Sequence, residues 1–119
     1  MRNVTADCLF CRIVAGEIPA TVVQSTDRVL AFRDIDPKAP VHVLVIPREH
    51  HADVASLAAA DPALAGEVLA MAGEVATAEG LRDDGFRVIF NTGPNGGQEV
   101  FHVHAHVVGG RPLGRMLPS

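Results

Sequence analysis

His102-Val-His-Ala-His-Val-Val108 places half of the chain's six histidines at every second position, with only apolar residues between and after them. Side chains alternate faces along a strand, so the stretch predicts a strand with His102, His104 and His106 on one face. Val103, Ala105 and Val107 then point into apolar packing on the other. A rise of ~3.3 Å per residue sets neighbouring histidines ~6.6 Å apart and the outer pair ~13 Å apart. At Zn–N distances of ~2.0–2.1 Å, two neighbours reach one ion easily, whereas three must lean hard toward the centre. The spacing better suits a division of labour, with one central imidazole acting and its neighbours orienting it or meeting a substrate. A solvated strand face and a metal-storing row are the competing readings.

The residues just before this strand favour chemistry at phosphorus. Asn91-Thr-Gly-Pro-Asn-Gly-Gly-Gln98 is a glycine-rich loop. Gly93, Gly96 and Gly97 allow backbone amides to approach an anion, and Asn91 and Gln98 add side-chain donors. A neutral imidazole is a good nucleophile at pH 7, and a covalent intermediate splits one difficult displacement into two easier ones. The attacking nitrogen must be unprotonated, so the other ring nitrogen should donate a hydrogen bond that fixes the tautomer.

Outward from this region the elements are short. Asp7 is positioned to cap a helix through Cys8-Leu-Phe-Cys-Arg-Ile-Val14, closed by Gly16. Thr21 to Gln24 and Arg28 to Arg33 read as strands, and Asp36-Pro-Lys-Ala-Pro40 as a rigid loop before a strand from Val41 to Ile46. Asp53 to Leu57 suggests one helical turn. Asp61-Pro62 starts a longer helix whose stripe is Leu64, Val68, Met71 and Val75, ended by Gly80. Phe86 to Phe90 is a further strand. The order α, β, β, β, α, β, β predicts an α+β fold, an antiparallel sheet with helices packed on one face. Residues 1–119 are read as one domain, with 109–119 as a tail too rich in Gly and Pro for regular structure.

Composition narrows the function classes. With 48% hydrophobic residues in 119, the chain has a core to build and is not a disordered segment. It has five Phe and neither Trp nor Tyr, so aliphatic residues must fill that core. A net charge of −4 argues against nucleic-acid binding through a basic face. The N-terminal Met-Arg-Asn-Val-Thr-Ala-Asp7 lacks a signal-peptide core, and no apolar run approaches the ~20 residues that span a bilayer. A cytoplasmic protein is expected. Both cysteines lie in Cys8-Leu-Phe-Cys11, which excludes a long-range disulfide. Such spacing suits zinc, with His102 and either His50 or His51 completing four ligands, but it also suits two buried thiols.

The row from His102 to Val108 resembles the signature of the histidine triad (HIT) superfamily, and its nucleotide-binding Hint-like branch in particular. Further blocks resemble the family's in order: Phe10-Cys-Arg-Ile-Val-Ala-Gly-Glu-Ile-Pro19, Ala31-Phe-Arg-Asp-Ile-Asp-Pro37, His42-Val-Leu-Val-Ile-Pro47, Gly96-Gly-Gln98 and Gly109-Gly-Arg111. The resemblance implies a homodimer that hydrolyses purine nucleoside 5′-phosphoramidates. His104 would form a nucleotidyl-histidine. His106 would contact the phosphate or protonate the departing amine, and His102 and His42 would orient His104. It further implies that Asp34 grips the ribose hydroxyls and that Phe10, Ile13, Ile18, Phe32 and Ile35 line a base pocket. Asn91, Gly97, Gln98, Glu99 and Val100 match positions near the phosphate. Many members carry Ser where this chain has Glu99, and an ionised carboxylate there suits a cationic leaving group.

Some bacterial members of the resembled family bind zinc through positions matching Cys8, Cys11, His50 and His102. Catalysis itself would require no cofactor. A nucleotide-binding regulatory module and a dinucleoside polyphosphate hydrolase of the same superfamily are the alternative functions. In the tail, Leu113, Met116 and Leu117 seek burial that a partner subunit can supply.

Overall fold

Alternation along the central strands generates the architecture. In the computed structural model, which describes residues 7–117, the elements are α1 (Leu9–Val14), β1 (Val22–Ser25), β2 (Val29–Arg33), β3 (Val41–Pro47), α2 (Val54–Ala60), α3 (Pro62–Ala78), β4 (Phe86–Ile89) and β5 (Ala105–Gly109). The strands form one antiparallel sheet in the order β1-β2-β3-β5-β4. Because β3 and β4 both pair antiparallel with β5, they run parallel to each other, and the α2–α3 connection carries the chain across.

One sheet face presents Val29, Ala31, Val43, Val45, Ala105 and Val107, which α3 covers with Leu64, Val68, Met71, Ala72, Val75 and Ala76. Asp61 starts α3 by accepting a hydrogen bond from the Leu64 amide at 3.0 Å, with Pro62 at the first helical position. Its carboxylate also meets Arg28 at 2.5 Å, tying the helix start to the beginning of β2.

The opposite face presents Leu30, Phe32, Leu44 and Ile46, which pack with Cys8 and Phe10. The expected α+β arrangement with an antiparallel sheet is present, with one correction. The helices are not all on one face: α2 and α3 share a face, and α1 lies across the other. Both sheet faces are apolar along β2 and β3, so both require cover, and Phe10 supplies it on the second. Cys8, rather than Asp7, caps α1, its sulfur accepting from the Cys11 amide at 3.3 Å.

The histidine stretch also departs from a simple strand. β5 begins only at Ala105, so His102 and His104 precede the paired ladder. Their neighbours on the β3 side end in Pro47, which has no N–H to donate. Instead, the Val103 amide donates to the His51 carbonyl at 2.8 Å. The alternation of faces survives: Val103 joins the α3 core, while the rings of His102 and His104 both contact Phe10 on the other face.

No helix among the described residues is long and apolar enough to cross a membrane. Most of the N-terminal stretch compared with a signal peptide, residues 1–6, lies outside the described residues, as do tail residues 118 and 119.

Candidate active site

Hydrogen bonds to groups of known polarity assign the tautomer of each site histidine. A carbonyl can only accept, so His104, whose Nδ1 lies 2.9 Å from the His102 carbonyl, must carry its proton there. The neutral ring therefore keeps its lone pair on Nε2. His102 Nε2 lies 2.8 Å from the Pro47 carbonyl and donates to it, which leaves the His102 Nδ1 lone pair facing Cys8 and Cys11. His42 accepts the Lys38 amide on Nδ1 at 3.1 Å, so its proton sits on Nε2, 2.9 Å from His106 Nδ1. His106 accepts there and carries its own proton on Nε2.

His102 holds His104 through its main-chain carbonyl. His42 pairs with His106, whereas the expected arrangement has it orient His104. The reason is register: β3 and β5 pair His42 with Val108 and Leu44 with His106, which brings the His42 ring diagonally onto His106. Asp34 Oδ2 stands 3.5 Å from His42 Nε2 behind this pair. Asp34, His42 and His106 also lie close enough to one another to suggest a metal site. However, the ring centres of the two histidines are 5.2 Å apart with nitrogens at 2.9 Å, so the nitrogens lie on the line joining the rings. An N–H that points along that line at a lone pair makes a hydrogen bond, not a chelate.

Burial keeps these rings neutral. Desolvation lowers the pKa of His104, opposed by its bond to the His102 carbonyl and by Asp34. His106 is pushed down to about 4 by desolvation, then by His104 and His42. Desolvation also lowers His42, against the pull of Asp34.

His104 and His106, with ring centres 4.9 Å apart, line a cavity of about 460 Å³. One end is apolar, built by Phe10, Ile13, Ile18 and Phe32, with Ile35 at 98% exposure standing on the rim. The other is polar, with Asp34, Asn91, Gly97, Glu99 and Val100 from the predicted set. Asp36 and Lys38 also line it, although in sequence their loop signalled only rigidity. The role of the Lys38 amide in fixing His42 has no local sequence signal.

The glycine-rich loop differs from the open cradle its composition suggests. Gly97 N donates to the Pro94 carbonyl, Gln98 N to the Gly93 carbonyl and Gly93 N to Gln98 Oε1, so these three amides close the loop on itself. Gln98 is buried and does not line the cavity; its Nε2 donates to the carbonyls of Ala52 and Val100 at 2.7 and 3.1 Å. It braces the loop instead of presenting a donor to phosphate. Gly96 is demanded by close approach, since a Cβ there would meet the Thr92 carbonyl oxygen at 2.4 Å.

Behind Phe10, one ligand atom each from Cys8, Cys11, His50 and His102 lie within 4.8 Å of one another. His102 Nδ1 is 3.4 Å from both sulfurs, and His50 Nδ1 is 3.4 Å from the Cys11 sulfur. Ligands ~2.0–2.3 Å from zinc stand roughly 3.3–3.8 Å apart along the edges of a tetrahedron, so the set fits that ion. The Pro47 carbonyl gives His102 the outer hydrogen bond that aims a metal-binding imidazole. Burial first, then the Cys8 thiol, push Cys11 up to about 12, a thiol that holds its proton until a cation takes its place. His51 instead pairs with Glu49 at 2.7 Å.

A five-stranded antiparallel sheet carrying three co-facial histidines beside a closed glycine loop defines a histidine triad protein. Residues 15–113 match the HIT domain family, and the chain belongs to it. It is 44% identical, over 93% of both chains, to the purine nucleoside phosphoramidase of Escherichia coli K12. It is 45% identical to a 14 kDa zinc-binding protein of Brassica juncea, over 90% of this chain and 96% of that one. A HIT family hydrolase from Legionella pneumophila Philadelphia 1 superposes with a TM-score of 0.86 at 49% identity, covering 89% of this chain and 95% of that chain. A histidine triad protein from Clostridium difficile gives a TM-score of 0.89 at 39% identity, covering 98% of this chain and all of its own.

Proposed function

We propose that the chain is a purine nucleoside phosphoramidase that works through a covalent nucleotidyl-histidine on His104. The observation that carries this reading is the bond from His104 Nδ1 to the His102 carbonyl, which leaves Nε2 as an unprotonated nucleophile on a ring that lines the cavity. Its Nε2 attacks the α-phosphorus, a bond forms between them, and the P–N bond to the amine breaks with the electron pair leaving on nitrogen. His106, with its proton on the outer nitrogen and His42 behind it, meets the phosphate or protonates that amine. Water then cleaves the phosphorus–histidine bond to release the nucleoside monophosphate. Apolar residues flank the purine, Asp34 takes the ribose hydroxyls, and Asn91, Gly97, Glu99 and Val100 surround the phosphate and leaving group. The name of the E. coli relative supports this substrate class.

Mass spectrometry of a quenched reaction with an adenosine phosphoramidate tests the reading. A nucleotide attached to His104 is expected, and His104→Ala should lose adduct and turnover by on the order of 10³-fold or more. Tight nucleotide binding with negligible turnover by the unmutated chain would instead favour a regulatory module.

Three further parts belong to this reading. Zinc occupies the Cys8, Cys11, His50 and His102 set as a closed structural centre, a reading supported by the tetrahedral spacing and by the zinc-binding plant relative. The protein is a cytoplasmic homodimer with no membrane or nucleic-acid partner. Support for the dimer comes from β4, which ends the sheet, exposes Val88 and has Arg87 gripping the tail carbonyls of Leu113 and Gly114.

A further inference from the structure

The metal-binding set and the nucleophile meet in one residue. His102 completes the set with its ring, 3.4 Å from both sulfurs, and holds His104 with its main-chain carbonyl at 2.9 Å. The bond from His102 Nε2 to the Pro47 carbonyl at 2.8 Å ties the ring to the end of β3, so ring and backbone are held together.

A second connection runs through α1. This six-residue helix is capped by Cys8 and carries both Cys11 and Phe10. The Phe10 ring stands edge-on to His102 and His104, with centres 6.0 and 5.1 Å apart, and forms part of the cavity wall. A helix so short has no stability of its own, because nucleation is costly and few bonds follow. Whatever anchors its two sulfurs therefore anchors Phe10 as well. Thiols without a bound cation would hold that helix only by sulfur–nitrogen hydrogen bonds, among the weaker kinds.

We propose that the Cys8, Cys11, His50 and His102 centre is a positioning device for the active site: zinc bound there sets both the orientation of the His104 ring and the affinity of the cavity for nucleotide. The proposal rests on reading the cavity as a purine nucleotide site. Four bonds to a common ion remove the freedom of α1 before a nucleotide arrives, so binding no longer has to order the Phe10 wall. Linkage makes the effect reciprocal: nucleotide must tighten zinc by the same factor.

The test compares the full chain loaded with zinc, stripped by a chelator and reloaded. AMP affinity is measured by calorimetry, zinc affinity by chelator competition with and without saturating AMP, and the His104 tautomer by nitrogen-15 NMR. Stripping should weaken AMP binding about tenfold, reloading should restore it, and AMP should tighten zinc about tenfold in return. His104 should hold its proton on Nδ1 in the loaded protein and sample both nitrogens in the stripped one. His50→Ala, outside the cavity wall, should weaken AMP binding only while zinc is subsaturating and recover when zinc is in excess. Equal AMP affinity and an unchanged His104 spectrum with and without zinc overturn the proposal. Loss of far-ultraviolet circular dichroism on stripping also overturns it, since the linkage would then be to folding as a whole. Failure of the loaded protein to bind AMP refutes the nucleotide reading and this proposal together, whereas AMP binding indifferent to zinc refutes this proposal alone.

Discussion

His42 acts on the site through another ring. Its Nδ1 is occupied by the Lys38 amide, so its Nε2 proton goes to His106 and fixes the hydrogen that His106 presents. Replacing His42 with Ala should lower kcat roughly 10–100-fold with little change in KM, measured on an adenosine phosphoramidate. A larger effect on KM than on kcat would contradict this role. The pH dependence follows from burial. The unfolded chain protonates histidine near the ordinary value of ~6.5, whereas the fold holds His106 neutral down to about 4 and lowers His104 as well. Between those limits the unfolded state binds more protons, so this contribution to stability is complete above pH ~6.5 and is lost as pH falls toward about 4. Urea midpoints measured across that range should fall on the acid side and level off near neutrality. For the same reason kcat/KM should hold through pH ~6.5 and decline only below it; a half-maximal point at or above that pH would show His104 unshifted.

At the scale of elements, the site depends on segments that close on themselves. Gly96 lets the loop from Asn91 to Gln98 fold tightly onto Thr92, and Gly97 adopts a φ of 77° that glycine takes without cost. Gly96→Ala would drive a methyl group into a backbone carbonyl, so the loop must shift. The expected result is a large loss of turnover with a much smaller change in urea midpoint, because the loop lies outside the core beneath α3. α3 shows the converse. Asp61→Ala removes its N-cap and an exposed ion pair to Arg28, which should lower the urea midpoint while leaving kcat unchanged.

For the whole molecule, the tail and the edge strand β4 form a unit. Arg87 of β4 donates to the tail carbonyls of Leu113 and Gly114, and Arg111 reaches the Lys38 carbonyl at 3.0 Å beside the polar end of the cavity. Truncation after Gly110 should therefore change the ranking of leaving groups more than it changes the fold. Loss of the circular-dichroism signal in that truncation would contradict this. Met116 and Leu117 are exposed within one chain, at 59% and 75%.

Periodicity made much of this protein legible before any coordinates. The every-other histidines, the apolar stripe of α3 and the Asp61-Pro62 start are local patterns, and local patterns report burial directly. They suffice for an antiparallel α+β sheet and for His104 beside a glycine loop, whereas the Cys8-Leu-Phe-Cys11 spacing left His50 and His51, and zinc and buried thiols, as alternatives. Other features depended on packing. Which face α1 covers, why His42 pairs with His106, why Gln98 turns inward and how His102 serves both sulfurs and nucleophile were not written in any short stretch. The reason is range: the decisive bonds join residues 46, 55, 64 and 94 positions apart. No local window contains both partners of such a bond, so only the packed sheet could bring them together.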